Sequence, residues 1–277
     1  MEKTYLDLLQ KVMDEGVDRA DRTGTGTRAL FGQTMRFDMS KGFPALTTKK
    51  LAWKAVRSEL LWFLEGSGDE NRLKELNSSA TTIWRANAEA PYWKPKAKFD
   101  GDLGRVYGVQ WRAWQKPDGT TVDQIAEAIR LIKEEPTSRR IIVNAWNPGE
   151  LDQMALPPCH MFFQFFVADG KLSLFMHQRS CDMFLGVPFN IASYSLLLHM
   201  VAQVTGLTAH EFVHSLGDTH IYNNHFDAVK EQLAREPYPF PTLKLNPEVK
   251  DIFSFKMEDI ELVGYESHPT IKAPMAV

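Results

Sequence analysis

Cysteine is scarce in this sequence, since only Cys159 and Cys181 occur among 277 residues. Two thiols cannot supply the several disulfides that stabilise small secreted domains, and unpaired thiols are typical of a reducing compartment. The N-terminal residues 1–9 are acidic and amphipathic, unlike a signal peptide. We therefore expect a cytoplasmic protein that is stabilised by a hydrophobic core.

A large charge of one sign and a long hydrophobic run are also absent. The formal net charge is −3, so bulk nucleic-acid binding is not expected and an anionic ligand would need a local arginine cluster. The most apolar helical run, residues 192–204, is interrupted by polar residues and is too short to span a bilayer. We therefore expect no membrane partner.

What is present is the composition of an ordinary globular protein, with 44% hydrophobic and 24% charged residues. The sequence shows no repeat, low-complexity tract or linker, so we predict one α+β domain over residues 1–277. The predicted helices are one that ends at Gly16 and those at residues 51–64, 66–77, 122–134, 190–204 and 224–236. The predicted strands are residues 30–37, 141–146, 161–167, 171–176, 212–216 and 252–255. Residues 91–100 are predicted to be a surface loop, and residues 102–108 a turn that carries a tyrosine.

The stretch with the clearest chemical potential is Pro157-Pro158-Cys159-His160, directly before a predicted strand. Proline fixes the approach of the chain and cannot donate to a sheet, so a loop can present Cys159 to a cleft. On spacing alone, a small buried hydrophobic residue is the more common role of a free cysteine.

Other candidate residues are ambiguous when each is taken alone. Residues 21–27 form a glycine-rich loop that lacks the patterns of a P-loop or a dinucleotide site; it could bring Arg22 to an anion or be a solvated turn. Arg139 and Arg140 suit bidentate phosphate binding, although such a pair is more often a solvated edge. Glu59 lies on an apolar helix face, where it is either an edge residue or a buried carboxyl with a raised pKa that could relay protons.

His210-Glu211-Phe212-Val213-His214 matches the HExxH pattern of zinc peptidases. That motif requires a helix, whereas these residues follow Gly206 and alternate like a strand. We predict that the match is accidental and that the protein has no metal site, and a zinc hydrolase is the alternative.

The remaining polar residues suit a cysteine nucleophile that attacks a small phosphorylated ring. Scattered arginines would hold the phosphate, and Arg179 could also lower the pKa of the thiol. The Asn190 amide can both donate and accept toward the carbonyl and N–H edge of a uracil. The other candidates in this set are Asp182, His220 and Tyr222.

At these residues the chain resembles the thymidylate synthase family nearly from end to end. The matching stretches are residues 21–26, 59–64, 106–108, 138–140, 158–160, 178–180 with Asp182, 189–190, 218–222 and 272–274. The resemblance implies a large mixed β-sheet flanked by helices and a homodimer with the sheets packed back to back. It also implies that Arg139 and Arg140 reach into the partner's site.

The resemblance further implies a reaction, the reductive methylation of dUMP to dTMP with 5,10-methylenetetrahydrofolate as co-substrate. The Cys159 thiolate would add to uracil C6, and the activated C5 would attack the methylene carbon. Glu59 and Tyr107 would organise waters that move protons, and hydride from the folate would complete the methyl group.

The implied catalytic residues are Cys159, Glu59, Tyr107, Arg179 and Asp182. The implied dUMP ligands are Arg22, Arg139, Arg140, Arg179, Ser180, Asp182, Asn190, His220 and Tyr222. The implied folate contacts are Lys49, Ile83, Trp84, Asp182, Leu185, Gly186, Phe189, Ala276 and Val277.

The sequence also departs from the family pattern. Arg85, Ala52 and His177 stand where many members have aspartate, histidine and tyrosine, and residues 91–100 are absent from the shortest members. Related enzymes let water instead of hydride quench the same intermediate. A dUMP hydroxymethylase is therefore the alternative to a thymidylate synthase.

Overall fold

A six-stranded mixed β-sheet forms the centre of the protein, as seen in a computed structural model that describes residues 2–21 and 23–274. In chain order the strands are β1 Val17–Arg19, β2 Thr27–Asp38, β3 Trp114–Gln115, β4 Thr121–Val122, β5 Ile142–Asn144, β6 His160–Ala168, β7 Lys171–Asp182, β8 Thr208–Tyr222, β9 Thr242–Leu245 and β10 Ile260–Val263. The large sheet has the order β1-β2-β8-β7-β6-β5. Its β7–β8 pair is parallel and its other pairs are antiparallel, which confirms the predicted mixed sheet.

Helices flank this sheet. They are α1 Glu2–Glu15, α2 Trp53–Leu64, α3 Glu70–Asn77, α4 Arg85–Ala88, α5 Tyr107–Arg112, α6 Gln124–Glu134, α7 Gly186–Thr205 and α8 Phe226–Leu233. Short 3₁₀ turns occur at Met39–Lys41, Pro148–Gln153, Asn223–His225, Ile252–Ser254 and Met257–Asp259. Asp69 and Asp123 cap α3 and α6, each accepting a backbone N–H of the first turn, as N-cap carboxylates do.

The helix α7 is the core helix of the fold. By length and composition alone it could cross a membrane, but 83% of its most apolar window is buried inside the protein. A helix that is apolar on all sides is typical of a buried position, and Leu196, Leu197 and Leu198 are fully buried here. It begins before the predicted residue 190, because Pro188 in the first turn removes an N–H that would have no helical partner.

The two faces of the large sheet differ in burial. Leu172, Leu174 and Met176 of β7 are fully buried on the helical side, and the alternating residues between them are half-buried. On β6 the buried Phe163 and Phe165 alternate with Phe166, which is 66% exposed. Because successive strand residues point to opposite faces, one face carries the core and the face that carries Phe166 is only partly covered.

Several predicted elements are corrected by the structure. Residues 252–255 are not a strand, since Ile252–Ser254 is a 3₁₀ turn capped by Asp251. Tyr107 lies at the first position of α5 and not in a turn. The insert, residues 91–100, contains turns whose Trp93 is buried, so it is not simply a surface loop. The two-stranded pairs β3–β4 and β9–β10 were not predicted.

Candidate active site

The Cys159 thiol lies at the end of the sheet where β6 begins. The Cys159 N–H donates to the Tyr107 hydroxyl at 2.7 Å, and the Cys159 carbonyl accepts from the Arg179 backbone N–H at 2.8 Å. A register irregularity follows between His160 and Phe162. The backbone on both sides of the sulfur is therefore fixed, and the side chain is only half-buried.

The electrostatics around the thiol have opposing effects. Burial raises the pKa of Cys159, whereas the Arg179 charge and hydrogen bonds from Tyr107 and Ser180 lower it. The net direction is upward from 9.0, so the thiol of the ligand-free protein is protonated at neutral pH. Cys181 is fully buried with its Sγ on the Gln178 carbonyl at 3.2 Å, which is the environment of a packing residue.

Arg179 holds the loop that precedes the cysteine. Its Nε donates to the Pro158 carbonyl at 2.8 Å and its Nη2 to the Pro157 carbonyl at 3.0 Å. The guanidinium also lies over the Trp146 ring at 5.1 Å. Within the described residues Nη1 has no hydrogen-bond partner, so one edge of the cation remains free for an anion.

His160 does not act as a base beside the thiol. Its ring stacks on Tyr107 with centroids 4.0 Å apart, and Nδ1 lies 2.6 Å from the Tyr194 hydroxyl. Burial lowers the pKa of His160 to about 3, so the ring is neutral at any physiological pH. The histidine therefore packs against the Tyr107 ring and does not transfer a proton.

Glu59 is the buried carboxyl of the site, and only 6% of it is exposed. Its Oε1 accepts from the Trp84 indole Nε1 at 2.7 Å. Burial raises the pKa of Glu59 to about 7, and the hydrogen bond from Trp84 opposes that shift. A carboxyl with this pKa can both give and take a proton near neutral pH, which is what a proton relay requires.

The turn from β7 into α7 carries the next group of predicted residues. Asp182 Oδ1 accepts the backbone N–H groups of Phe184 and Leu185, both at 3.0 Å. Four residues into the helix, the half-buried Asn190 amide has no hydrogen-bond partner among residues 2–21 and 23–274. A polar amide that is half-buried and unpaired is available to a ligand.

Lys49 reaches the same turn from the other side. Its Nζ donates to the Phe184 carbonyl and lies 3.5 Å from the centroid of the Phe184 ring. Burial lowers the pKa of Lys49 to about 7, although the Asp182 charge opposes the shift. Leu185 and Phe189 are half-buried next to the core, and Gly186 opens the helix.

The parallel pairing of β7 and β8 aligns the ribose and phosphate candidates. Asp182 pairs with His220 and Ser180 pairs with Asp218. The His220 Nδ1 lies 3.1 Å from Asp218 Oδ1. The Tyr222 ring stands edge-on to His220 with centroids 5.2 Å apart.

The glycine-rich loop is structured by Asp21. The carboxylate accepts the Gly26 N–H at 2.7 Å and the Thr23 hydroxyl at 2.5 Å. The Thr23 hydrogen bond is the first cause of the lowered pKa of Asp21. The Gly26 carbonyl accepts the Asn223 N–H at 3.0 Å, so the loop lies near the end of β8. Arg22 itself is outside the described residues.

Comparison with known families agrees with this geometry, because the family model described as Thymidylate synthase matches residues 3–277. The chain belongs to the thymidylate synthase family. Family membership identifies an enzyme that transfers a one-carbon unit in nucleotide biosynthesis and uses methylenetetrahydrofolate as co-substrate.

Some predicted family residues are not brought to the thiol. Arg139 and Arg140 are exposed before β5, whose Ile142 pairs with Gln164 of β6. At about 3.3 Å per strand residue, they lie roughly 20 Å from Cys159 along the sheet. Ile83 is close in sequence to Trp84 but is 51% exposed. The tail residues Ala276 and Val277 lie outside the described residues.

The residues that support the site from the neighbouring strands and helix were not predicted. His214 Nε2 lies 2.8 Å from Gln178 Oε1 in a buried pair that joins β7 to β8. A Cβ at Gly217 would meet the Arg179 carbonyl oxygen at 3.0 Å, so a side chain here would require the Arg179 backbone to shift. Tyr194 under His160 was also missed, because pairs of this kind depend on strand register and not on a motif.

The HExxH stretch lies in strand β8 as predicted, and this is not the peptidase geometry. His210 is exposed, His214 is buried on Gln178, and Glu211 pairs with Arg36 at 2.6 Å. In the part of the chain that the structure describes, no group of three or more His, Cys, Asp or Glu side chains could hold a metal. The zinc-hydrolase alternative therefore lacks the helix it needs.

Proposed function

We propose that this protein is a thymidylate synthase that converts dUMP to dTMP, with 5,10-methylenetetrahydrofolate supplying both the carbon and the hydride. The observation that carries the proposal is the position of the Cys159 thiol between Arg179, Tyr107 and Ser180, with family membership over residues 3–277. We also propose that residues 1–277 form one catalytic domain that acts in the cytoplasm.

The surroundings of Cys159 suit addition to a uracil ring. In this proposal sulfur bonds to C6, and the electron pair of the C5–C6 double bond moves to C5, which becomes the carbon nucleophile. Asn190 holds the base from α7, and His220 and Tyr222 hold the ribose hydroxyl from β8. Asp182 contacts both the base side and the pterin.

Burial of Glu59 and Tyr107 supports their proposed role in proton transfer. The Glu59 carboxyl, with a pKa of about 7, is hydrogen-bonded to Trp84, whose ring lies 5.8 Å from the Tyr107 ring. Trp84, Leu185 and Phe189 would form the apolar wall of the folate site, with Ile83 at its outer edge. Lys49 would offer a cation to the folate, and the Val277 end of the chain would close over it.

The phosphate of dUMP is proposed to be held by arginines from two protomers. Arg179 has a free edge and Ser180 follows it in β7, and Arg22 is proposed to join them at the phosphate. Arg139 and Arg140 lie far from their own thiol, which fits the proposal that they serve the site of a second copy. The partly covered sheet face with Phe166 would be the surface of this homodimer.

Mixing of two inactive variants tests the shared site. The Arg139→Ala/Arg140→Ala protein keeps its thiol, and the Cys159→Ser protein keeps its arginines. Refolding them together is expected to restore about a quarter of the wild-type activity at low dUMP, because half of the dimers are hybrids and each hybrid has one complete site. No recovery beyond that of the separate proteins would place both arginines in their own protomer's site.

Exchange of one amide tests the base specificity. The Asn190 amide can satisfy both N3–H and O4 of uracil, whereas a protonated carboxyl better suits the acceptor N3 of cytosine. Because a mismatched buried hydrogen bond costs about 1–3 kcal/mol, Asn190→Asp should shift the ratio of kcat/KM from dUMP toward dCMP. Equal use of both nucleotides by the unmutated protein would refute this role of Asn190.

A zinc hydrolase would lose activity when its metal is removed, whereas the proposed synthase would not. Chelators and the substitution His210→Ala are expected to leave turnover of dUMP unchanged, since His210 is an exposed residue of β8. Loss of activity on dialysis against a chelator, with recovery on adding zinc, would contradict the proposal.

A further inference from the structure

Arg85, which departs from the family pattern, joins three carboxylates beside the proposed folate wall. Its Nη2 donates to Asp100 Oδ1 at 3.0 Å and to Glu89 Oε1 at 2.5 Å. Its Nη1 lies 3.4 Å from Glu70 Oε2. The Arg85 side chain is about one-third exposed, whereas its partner Glu70 has no exposed side-chain surface.

The buried member of this group connects Arg85 to Trp84. Glu70 has no exposed surface, and its Oε1 accepts from the Thr82 hydroxyl at 2.9 Å. The oxygen of that hydroxyl accepts the Trp84 backbone N–H at 3.1 Å. The Trp84 indole in turn donates to Glu59 at 2.7 Å. An unbroken set of contacts thus runs from Arg85 to the carboxyl of the site.

The insert supplies the fixed end of this set of contacts. The Asp100 carbonyl accepts from the Asn71 side chain at 2.7 Å, and the Gly101 carbonyl accepts the Glu70 N–H at 2.9 Å, so both are anchored to α3. At the other side of the insert, the Tyr92 hydroxyl donates to the Ala155 carbonyl at 2.6 Å, close before Cys159. The insert therefore ties the wall that carries Trp84 to the loop that carries the thiol.

We infer that Arg85 is a positioning residue that, with the insert, holds Trp84 in place. Arg85 thereby determines whether hydride or water adds to the methylene carbon in the last step. This inference rests on the proposed function. In the productive ending, hydride from tetrahydrofolate adds to the exocyclic methylene carbon, the C5–C6 double bond re-forms as the Cys159–C6 bond breaks with its electrons on sulfur, and the folate loses a proton to become dihydrofolate. In the competing ending, water adds to the same carbon and loses a proton, the Cys159–C6 bond breaks in the same way, and tetrahydrofolate leaves unoxidised. A firmly held indole excludes that water.

The test compares Arg85→Gln with Arg130→Gln. Arg130 is a matched control, because it also pairs with three carboxylates, Glu127, Glu134 and Glu135, but lies on the outer face of α6. For Arg85→Gln we expect kcat for dTMP to fall about 10- to 100-fold, with a hydroxymethyl product appearing in the mass spectrum and KM for dUMP nearly unchanged. Arg130→Gln should behave as the unmutated protein.

Two further variants keep the inference open to refutation. Arg85→Lys keeps a positive charge for Glu70 but lacks the planar guanidinium with its several N–H donors. Its dTMP yield should therefore lie between those of Arg85→Gln and the unmutated protein. If Arg85→Gln does not fold, Asp100→Asn at the exposed end of the contacts should give a smaller change in the same direction. An unchanged product ratio in the folded Arg85 and Asp100 variants would overturn the inference. The product of the unmutated enzyme tests the proposed function separately.

Discussion

The Cys159→Ser variant is expected to lose turnover by at least about 10⁴-fold while it still binds dUMP. A serine hydroxyl has nearly the shape of the thiol, but it is a far weaker nucleophile toward C6. The contacts that fix this position use the Cys159 backbone, through Tyr107 and Arg179, and are kept in the variant. Titration calorimetry with dUMP and a rate assay with both substrates measure the two properties on the same protein.

Cys181→Ser is the matched control for the nucleophile. Cys181 is fully buried and its sulfur contacts the Gln178 carbonyl, an acceptor that a hydroxyl also satisfies. We expect this variant to remain active. Full activity in Cys159→Ser, or loss of activity in Cys181→Ser alone, would show that Cys159 is not the nucleophile.

The second large effect is expected for Glu59→Gln, which removes the titrating group and keeps an oxygen for the Trp84 indole. A positioned acid or base typically contributes about 10²–10⁴ to the rate, so kcat should fall within that range. Burial raises the pKa of Glu59 to about 7, so in the unmutated protein the protonation of this carboxyl changes near neutral pH. The dependence of kcat on pH near 7 should disappear in the variant, and its persistence would mean that another group titrates there.

The same substitution should change stability in a direction fixed by the pKa. The folded-state pKa of Glu59, about 7, lies above the value of 4.5 expected for the unfolded chain. The folded protein therefore binds a proton more tightly between these values, and ionisation of Glu59 lowers the free energy of unfolding as pH rises from 4.5 through 7. At pH 8 the penalty is on the order of 3 kcal/mol.

Urea unfolding at two pH values measures this penalty. At pH 8 Glu59→Gln should be more stable than the unmutated protein, whereas at pH 5 most of the difference should vanish because the carboxyl is then largely protonated when folded. The same small difference at both pH values would show that Glu59 titrates near its ordinary pKa.

Periodicity in the sequence was sufficient to predict the elements that build the core. The apolar runs predicted α1, α2, α6 and much of α7, since a helix or strand that buries one face must repeat its apolar residues at a fixed spacing. The 3₁₀ turn at Ile252–Ser254 was mistaken for a strand because three of the four residues 252–255 are apolar, which fits both patterns. The short helix that starts at Tyr107 was missed because Gly104 and Gly108 lie on either side of Tyr107 and are typical of a turn.

The site was only partly visible in the sequence. The stretches Pro158-Cys159-His160, Gln178-Arg179-Ser180 and Phe189-Asn190 indicated Cys159, Arg179 and Asn190. The His214–Gln178 pair depends on strand register, which no local pattern encodes. The distance between Arg139 and the thiol of its own protomer could not be predicted either, because the pairing of β5 with β6 determines it. The contact of Arg85 with Asp100 could not be predicted, because Asp100 lies in an insert that has no periodicity to interpret.

A single reaction with dUMP and 5,10-methylenetetrahydrofolate tests the central claim most directly. The account predicts growth of dihydrofolate absorbance in step with a nucleotide product of the mass of dTMP, because hydride from the folate completes the methyl group. A product heavier by one oxygen, with tetrahydrofolate released unoxidised, would contradict it and identify a dUMP hydroxymethylase.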